Sequence, residues 1–351
     1  MNQEIYENVL QLIGNTPIVH LKNFSTSSFH VFAKCEFFNP GGSIKDRIGY
    51  TMLNEAEKRN WIKPGGTIIE ATAGNTGIAL AMAAAQRGYR LVLVVTDRVS
   101  EDKIRLLKAC KAEIVRVPYS SSTENPGAFV KYAEELSRKI PNSWFVNQFE
   151  SEINYAVHYE TTGPEIWRQM AHQVDVFIAG IGTGGTLCGV GHYLKEVNPH
   201  IKIILADPVG SVYHSLFHQY SSLQAKKFLI EGIGGDFLPK IANLKIIDEV
   251  ISVSDVDACK TCYALFDQAG LFVGPSSGAI VCAAIRYGKA LNVMAKRPYR
   301  IVVILPDSGR NYLNTFYDEQ WCEKNLGLNW SRGRCSDKHD FNKYYSSALQ
   351  V

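Results

Sequence analysis

The sequence holds no basic run of five or more residues, no apolar run long enough to cross a bilayer, and no cysteine framework. Each absence removes a class of function. A formal charge of +3, from 37 Lys and Arg against 34 Asp and Glu, is too mild to argue for a nucleic-acid or membrane-surface partner. The longest apolar stretches, 174–181 and 301–305, are strand-sized, whereas a spanning helix needs about 20 residues. The opening Met1-Asn2-Gln3-Glu4 has neither a basic nor an apolar signal region, so a cytoplasmic location is expected.

Metal and hydrolase signatures are missing too. The nine histidines show no metal-ligand spacing, and His158, His172 and His192 read as solitary packing or surface residues. No G-x-S-x-G elbow with partners is present. The eight cysteines are scattered, several (Cys35, Cys110, Cys188, Cys282) inside patterned segments, as suits buried thiols in a reducing compartment. Cys259 and Cys262 form a lone C-x-x-C, which reads as a packed helix face.

What is present is an ordinary globular composition, 46% hydrophobic and 20% charged, over 351 residues, too long for a single core. Strand-like runs at 31–35, 67–70, 91–95, 113–117, 144–147, 174–181, 202–206, 250–253 and 300–305 alternate with helical patterns. The helices are expected at 45–60, 76–87, 102–111, 128–139, 164–170, 185–197, 257–270 and 278–291. Such alternation predicts an α/β protein of two three-layer αβα domains with mostly parallel twisted sheets, ligands binding where strand ends feed helices. A soft boundary falls near 150, giving units 1–150 and 151–323, with a polar, aperiodic tail at 324–351.

Polar loops punctuate this pattern. In Asn39-Pro40-Gly41-Gly42-Ser43-Ile44-Lys45-Asp46-Arg47, Ser43 and Asp46 are spaced as a capping pair, which puts Lys45 in the first turn of a helix. The positive dipole end and desolvation there would lower its pKa, and a neutral amine is a nucleophile towards carbonyls. The stretch Glu70-Ala71-Thr72-Ala73-Gly74-Asn75-Thr76-Gly77 joins a strand to a helix. It suits a carboxylate or phosphate at the helix N-terminus, or is a turn whose Asn and Thr merely cap. Gly182-Thr183-Gly184-Gly185-Thr186 follows the strongest strand and reads as a phosphate cradle or a plain tight turn. The Walker lysine is absent, and the dinucleotide fingerprint fails at Leu187, although Asp207 stands where a ribose-binding acid would. Gly274-Pro275-Ser276-Ser277-Gly278 opens another helix, with capping as the simpler reading. Pro306-Asp307-Ser308-Gly309-Arg310-Asn311-Tyr312 follows the last strand with similar polar chemistry.

Taken together, from Ile13-Gly14-Asn15-Thr16-Pro17 to Asn311-Tyr312-Leu313, the chain resembles the pyridoxal-phosphate β-family (fold type II), in particular its cysteine synthase and cystathionine β-synthase branch. The resemblance implies pyridoxal 5'-phosphate as cofactor and Lys45 as the Schiff-base lysine. It implies Asn75 at the cofactor's phenolic oxygen, Gly182, Thr183, Gly184, Gly185 and Thr186 around its phosphate, and Ser276 at the pyridine nitrogen. It also implies Thr72, Gly74, Asn75, Thr76 and Gln148 around the substrate carboxylate. A serine hydroxyl cannot stabilise a pyridinium as a carboxylate would, which favours β-elimination and replacement over transamination. The activity so implied is β-replacement on L-serine or an O-activated L-serine by sulfide or homocysteine, with small-molecule partners and a homodimer. Ala71 and Ala73 depart from the family pattern of Pro and Ser and remove one possible substrate contact. The segment Glu231-Gly232-Ile233-Gly234-Gly235-Asp236-Phe237 looks more like cystathionine β-synthases, but neither haem nor nucleotide-type regulation is expected. Two rival readings stand beside this one: a nicotinamide dehydrogenase using 182–185 and Asp207, and a non-catalytic scaffold that kept the fold.

Overall fold

A computed structural model describes residues 5–97, 99–118, 128–220, 224–291 and 297–328. The strands are β1 (Ile18–His20), β2 (Phe29–Cys35), β3 (Thr67–Ala71), β4 (Arg90–Thr96), β5 (Glu113–Val117), β6 (Ser143–Phe145), β7 (Val176–Ala179), β8 (Lys202–Pro208), β9 (Glu249–Val253) and β10 (Tyr299–Leu305). They form a six-stranded sheet in the order β1-β2-β10-β7-β8-β9 and a four-stranded sheet in the order β5-β4-β3-β6. Every pairing is parallel except β1 with β2. The fold is the α/β architecture expected.

Continuous apolar runs become strands here because both sheet faces are covered. In β10, Ile301, Val303 and Leu305 pack into one core and Val302 and Ile304 into another on the opposite face. In the smaller sheet Ile68, Leu91 and Leu93 face one core while Ile69, Val92 and Val94 face a second. That is the two-residue period of a strand read on both sides. Burying each such side chain contributes about 1.5–3 kcal/mol.

All nine expected strands are present. β1 was not anticipated: it is three residues long and pairs antiparallel at the sheet edge. Three short helices, Glu152–Val157, Tyr213–Phe217 and Glu319–Leu326, also went unread. The sheets do not divide at residue 150 throughout, because β2 pairs with β10 residue for residue from Phe29–Tyr299 to Cys35–Leu305. β1 and β2 therefore lie in the six-stranded sheet. The polar tail expected from 324 begins inside the helix Glu319–Leu326. From 329 on it lies outside the described residues.

Among the described residues no helix is long and apolar enough to cross a membrane. Cys259 and Cys262 are fully buried on the helix Asp255–Ala269, Cys259 beside Cys322 at 3.8 Å, which bears out the packed-face reading.

Candidate functional site

The C-terminal ends of the strands open onto one cavity. Its walls include Lys45, Asn75, Gly182, Thr183, Gly184, Thr186, Ser276, Pro306 and Asp307. The sequence separates these groups by up to 262 residues, and the sheets bring them together.

Lys45 is the first residue of helix α1 (Lys45–Lys58). The expected capping pair works differently from its spacing. Ser43 Oγ accepts from the Lys45 N–H at 3.2 Å, but Asp46 reaches back to accept from the Gly41 N–H at 2.5 Å. The loop is thus tied to the helix from inside. Ile44 N–H donates to Pro306 O at 2.9 Å, docking the lysine's turn on the end of β10. Burial pushes the Lys45 amine down to about 8, against the opposing pull of the Asp307 carboxylate. Desolvation outweighs the carboxylate. The amine has no hydrogen-bond partner among the described residues.

Asn75 opens helix α2 (Asn75–Arg87) directly after Gly74. Its Nδ2 donates to Asp307 Oδ2 at 2.7 Å, and Asn311 Nδ2 donates to its Oδ1 at 3.1 Å. Thr72, Thr76 and Gln148 are not among the residues that line the cavity. Thr72 Oγ1 accepts from Gly74 N–H at 3.2 Å, and Thr76 donates to Gln148 Oε1 at 2.7 Å. Glu70, fully buried, accepts from the N–H groups of Ala71 and Gln148. Burial nevertheless pushes its carboxyl up to about 7.

The turn after β7 needs glycine at one point in particular: Gly184 has φ +94°, a conformation L side chains rarely adopt. Gly185 then starts the helix Gly185–Val197, whose free N–H groups and dipole could hold an anion, with the Thr183 and Thr186 side chains adding hydroxyls. Two residues not singled out as site residues support this turn. Asn154, fully buried, donates through Nδ2 to Gln148 O at 2.8 Å and Thr183 Oγ1 at 2.9 Å, linking the 72–76 loop's partner to the anion loop. His158 is not a solitary packing residue: its Nε2 lies 3.3 Å from Thr186 Oγ1 and its Nδ1 2.9 Å from Thr162 Oγ1. Burial and then the nearby Arg47 and Lys45 hold its pKa well below the ordinary value, so the ring is neutral. Neither carried a local signal, since Asn154 lies on an unread helix and His158 just beyond it.

Ser276 is the second residue of the helix Pro275–Ala290, with its hydroxyl unpartnered among the described residues. Asp207, by contrast, is not in the cavity wall. Its Oδ2 accepts from the His214 N–H at 2.9 Å, tying the start of a short helix, and burial pushes it up to about 6. The pairing of 182–185 with Asp207 that a dehydrogenase requires is not made.

A groove of about 800 Å³, lined by Gly74, Asn75 and Tyr312 among others, shares Asn75 with the cavity. Both charge signs line it. Lys103 pairs with Glu231, Asn314 donates to Asp102, and the Arg310 guanidinium is unpartnered among the described residues.

The cavity's donor set fits a flat, phosphorylated aldehyde. It has a helix start that could hold an anion, a desolvated amine with a pKa lowered to about 8, an amide side chain and a hydroxyl unpartnered among the described residues.

Comparison with known proteins agrees with this chemistry. The family described as pyridoxal-phosphate dependent enzyme matches residues 9–307. Cystathionine beta-synthase of Apis mellifera is 42% identical over 323 residues, 91% of this chain and 63% of that protein. The Rattus norvegicus protein of the same name is 40% identical, and the chain covers 56% of it. The chain therefore spans less than two thirds of these relatives. A probable cysteine synthase of Bacillus subtilis is 41% identical over 317 residues, 89% of this chain and 97% of that one. The crystal structure of an O-ureido-L-serine synthase superposes with a TM-score of 0.82 at 31% identity, covering 97% of this chain and 99% of the other.

Proposed function

The chain belongs to the pyridoxal-phosphate-dependent enzyme family, and on that premise we propose that it replaces the β-substituent of L-serine, or an O-activated L-serine, with a sulfur nucleophile. The product is cystathionine when the nucleophile is homocysteine and cysteine when it is sulfide. The bound cofactor supplies the electron sink that lets Cα lose a proton and Cβ its substituent. Everything else falls to the chain.

Lys45 would be the covalent tether of the cofactor and the base that takes and returns the Cα proton. An amine held near pH 8 suits that exchange at neutral pH. Gly182 to Thr186 hold the phosphate, Asn75 donates to the phenolic oxygen, and Ser276 meets the ring nitrogen. The loop of Thr72, Gly74, Asn75 and Thr76 receives the substrate carboxylate, with Gln148 bracing it through Thr76. Shutting that loop over the substrate would exclude water. The homodimeric assembly, small-molecule partners and cytoplasmic location belong to the same proposal and rest on family membership.

The observation that carries this reading is the convergence on one cavity of Lys45, Asn75, the 182–186 turn and Ser276 from four separate loops. The adjoining groove favours homocysteine over sulfide as nucleophile. Sulfide needs no room, whereas a groove of about 800 Å³ with charges of both signs suits a zwitterionic amino acid.

A matrix of serine, acetylserine and phosphoserine against sulfide and homocysteine, read by product mass, tests the proposal. Cystathionine from a serine donor and homocysteine is the expected product. No replacement product from any pair contradicts the reading, and cysteine alone removes the argument from the groove.

A further inference from the structure

Asp307 has no role in the chemistry above, yet the loops carrying Lys45, Asn75 and Ser276 all meet it. It sits 2% exposed at the end of β10, where an antiparallel bridge joins it to Ser43 and a neighbouring bridge joins Ser308 to Val273. Gly274 N–H donates to Asp307 O at 3.1 Å. A Cβ at Gly274 would lie 2.1 Å from Asp307 Oδ1 and 2.6 Å from Tyr312 Cε2, so the loop that presents Ser276 is glycine where it passes this carboxylate. Oδ2 accepts from Asn75 Nδ2 and from the Tyr312 hydroxyl, each at 2.7 Å, while Oδ1 is buried without a partner.

The consequence falls on Asn75. An amide side chain can turn over, exchanging its acceptor for its donors. Here both ends are committed. The ionised Asp307 can only accept, which brings the NH2 of Asn75 to it. The NH2 of Asn311 donates to the Asn75 oxygen from the other side. Burial pushes the Asp307 carboxyl up only to about 6, so at neutral pH the accept-only form prevails. One hydrogen of Asn75 Nδ2 is then spent on Asp307 and the second is left for the cavity that Asn75 shares with Lys45.

We propose that Asp307, with Asn311 opposite, is a positioning residue that locks the Asn75 amide in the orientation that offers a donor to the cofactor's phenolic oxygen. Turned over, Asn75 would set a carbonyl oxygen against that oxygen, two acceptors facing each other. The inference rests on the roles given above to Lys45 and Asn75.

The test is titration of cofactor-stripped protein with pyridoxal 5'-phosphate, followed by absorbance, in wild type, Asn75→Ala, Asp307→Ala and the double variant. Each single change should weaken binding about tenfold, as loss of a hydrogen bond involving a charged group does. The double variant should be no weaker than either single one, because both break the same contact. Asp307→Asn can keep an acceptor at the Oδ2 position and should bind within about threefold of wild type, with the wild-type absorption band. In Asp307→Ala the band should shift as the phenolic oxygen loses its donor. Multiplying losses in the double variant, or an unchanged band in Asp307→Ala, overturns the proposal.

Should Asp307→Ala fail to fold, Asn311→Ala removes the opposite partner from an exposed position. It should weaken binding about threefold alone and have no further effect in the Asn75→Ala background; an equal effect in both backgrounds overturns the proposal. Failure of the underlying reading looks different: the wild type would then not take up the cofactor, or would take it up as well without Lys45.

Discussion

Two residues of α1 only two positions apart, Lys45 and Arg47, meet opposite surroundings. Arg47 is buried in a saturated ion network. Its Nε and Nη2 donate to Glu36 at 2.7 and 2.8 Å, and its Nη1 and Nη2 donate to Glu165 at 2.8 and 2.7 Å. Lys34 adds a second cation on Glu165 at 2.7 Å, and Thr16 and Asn39 complete Glu36. Lys45 lines the cavity and has one carboxylate, Asp307, in its neighbourhood. The first cluster ties β2, α1 and the helix Gly163–Gln169 together; the second leaves an amine, an amide hydrogen and a hydroxyl unused. Saturated charge fixes the frame, and unsaturated groups beside it are free for a ligand.

Protonation divides the clusters in the same way. Burial alone would raise Glu165, but Arg47 and Lys34 outweigh it and hold the carboxyl down at about 2. At Lys45 burial wins and the amine falls to about 8.

Breaking the saturated cluster should have the larger effect on stability. Arg47→Met leaves Glu36 and Glu165 buried without their main partner and should cost about 3–5 kcal/mol, measured by urea unfolding. A loss near zero would mean the network is not part of the frame. The unsaturated cluster should show itself in the pH dependence of the cofactor-free protein. The folded amine of Lys45 releases its proton near 8 and the unfolded one near 10.5. Between those values the unfolded chain binds more protons, so stability rises with pH, by up to about 3 kcal/mol. Lys45→Met should lose that rise. Glu165 acts with the same sign in an acid window: its contribution is complete above about 4.5 and is lost as pH falls towards 2. A variant with an unaltered alkaline limb would remove Lys45 from the explanation. Asn154→Ala, which cuts the link between Gln148 and Thr183, should be the mildest, about 1 kcal/mol in stability with a few-fold loss of cofactor affinity. Wild-type affinity would show that the two loops are positioned independently.

The same contrast separates what the sequence disclosed from what it hid. Buried parallel strands are apolar on both faces, so β3, β4, β7, β8 and β10 stood out, while β1, three residues at an edge, did not. The site loops were legible because strand-to-helix turns rich in Gly, Ser, Thr and Asn are local features. Their bracing was not. Asp307 meets Asn75 across 232 residues, Gln148 meets Thr76 across 72, and Arg47 meets Glu165 across 118. Contacts of that range leave no spacing to read. Asp46 shows the limit at short range too, since its spacing from Ser43 suited a cap and its side chain serves Gly41 instead.

The central claim is that the desolvated amine at position 45 holds the cofactor. Borohydride reduction of cofactor-loaded protein, followed by proteolysis and mass mapping, measures it directly. The account predicts a reduced pyridoxyl label on the peptide carrying Lys45 and none in Lys45→Ala. A label on another lysine, or no label in a wild type that has taken up the cofactor, would contradict it.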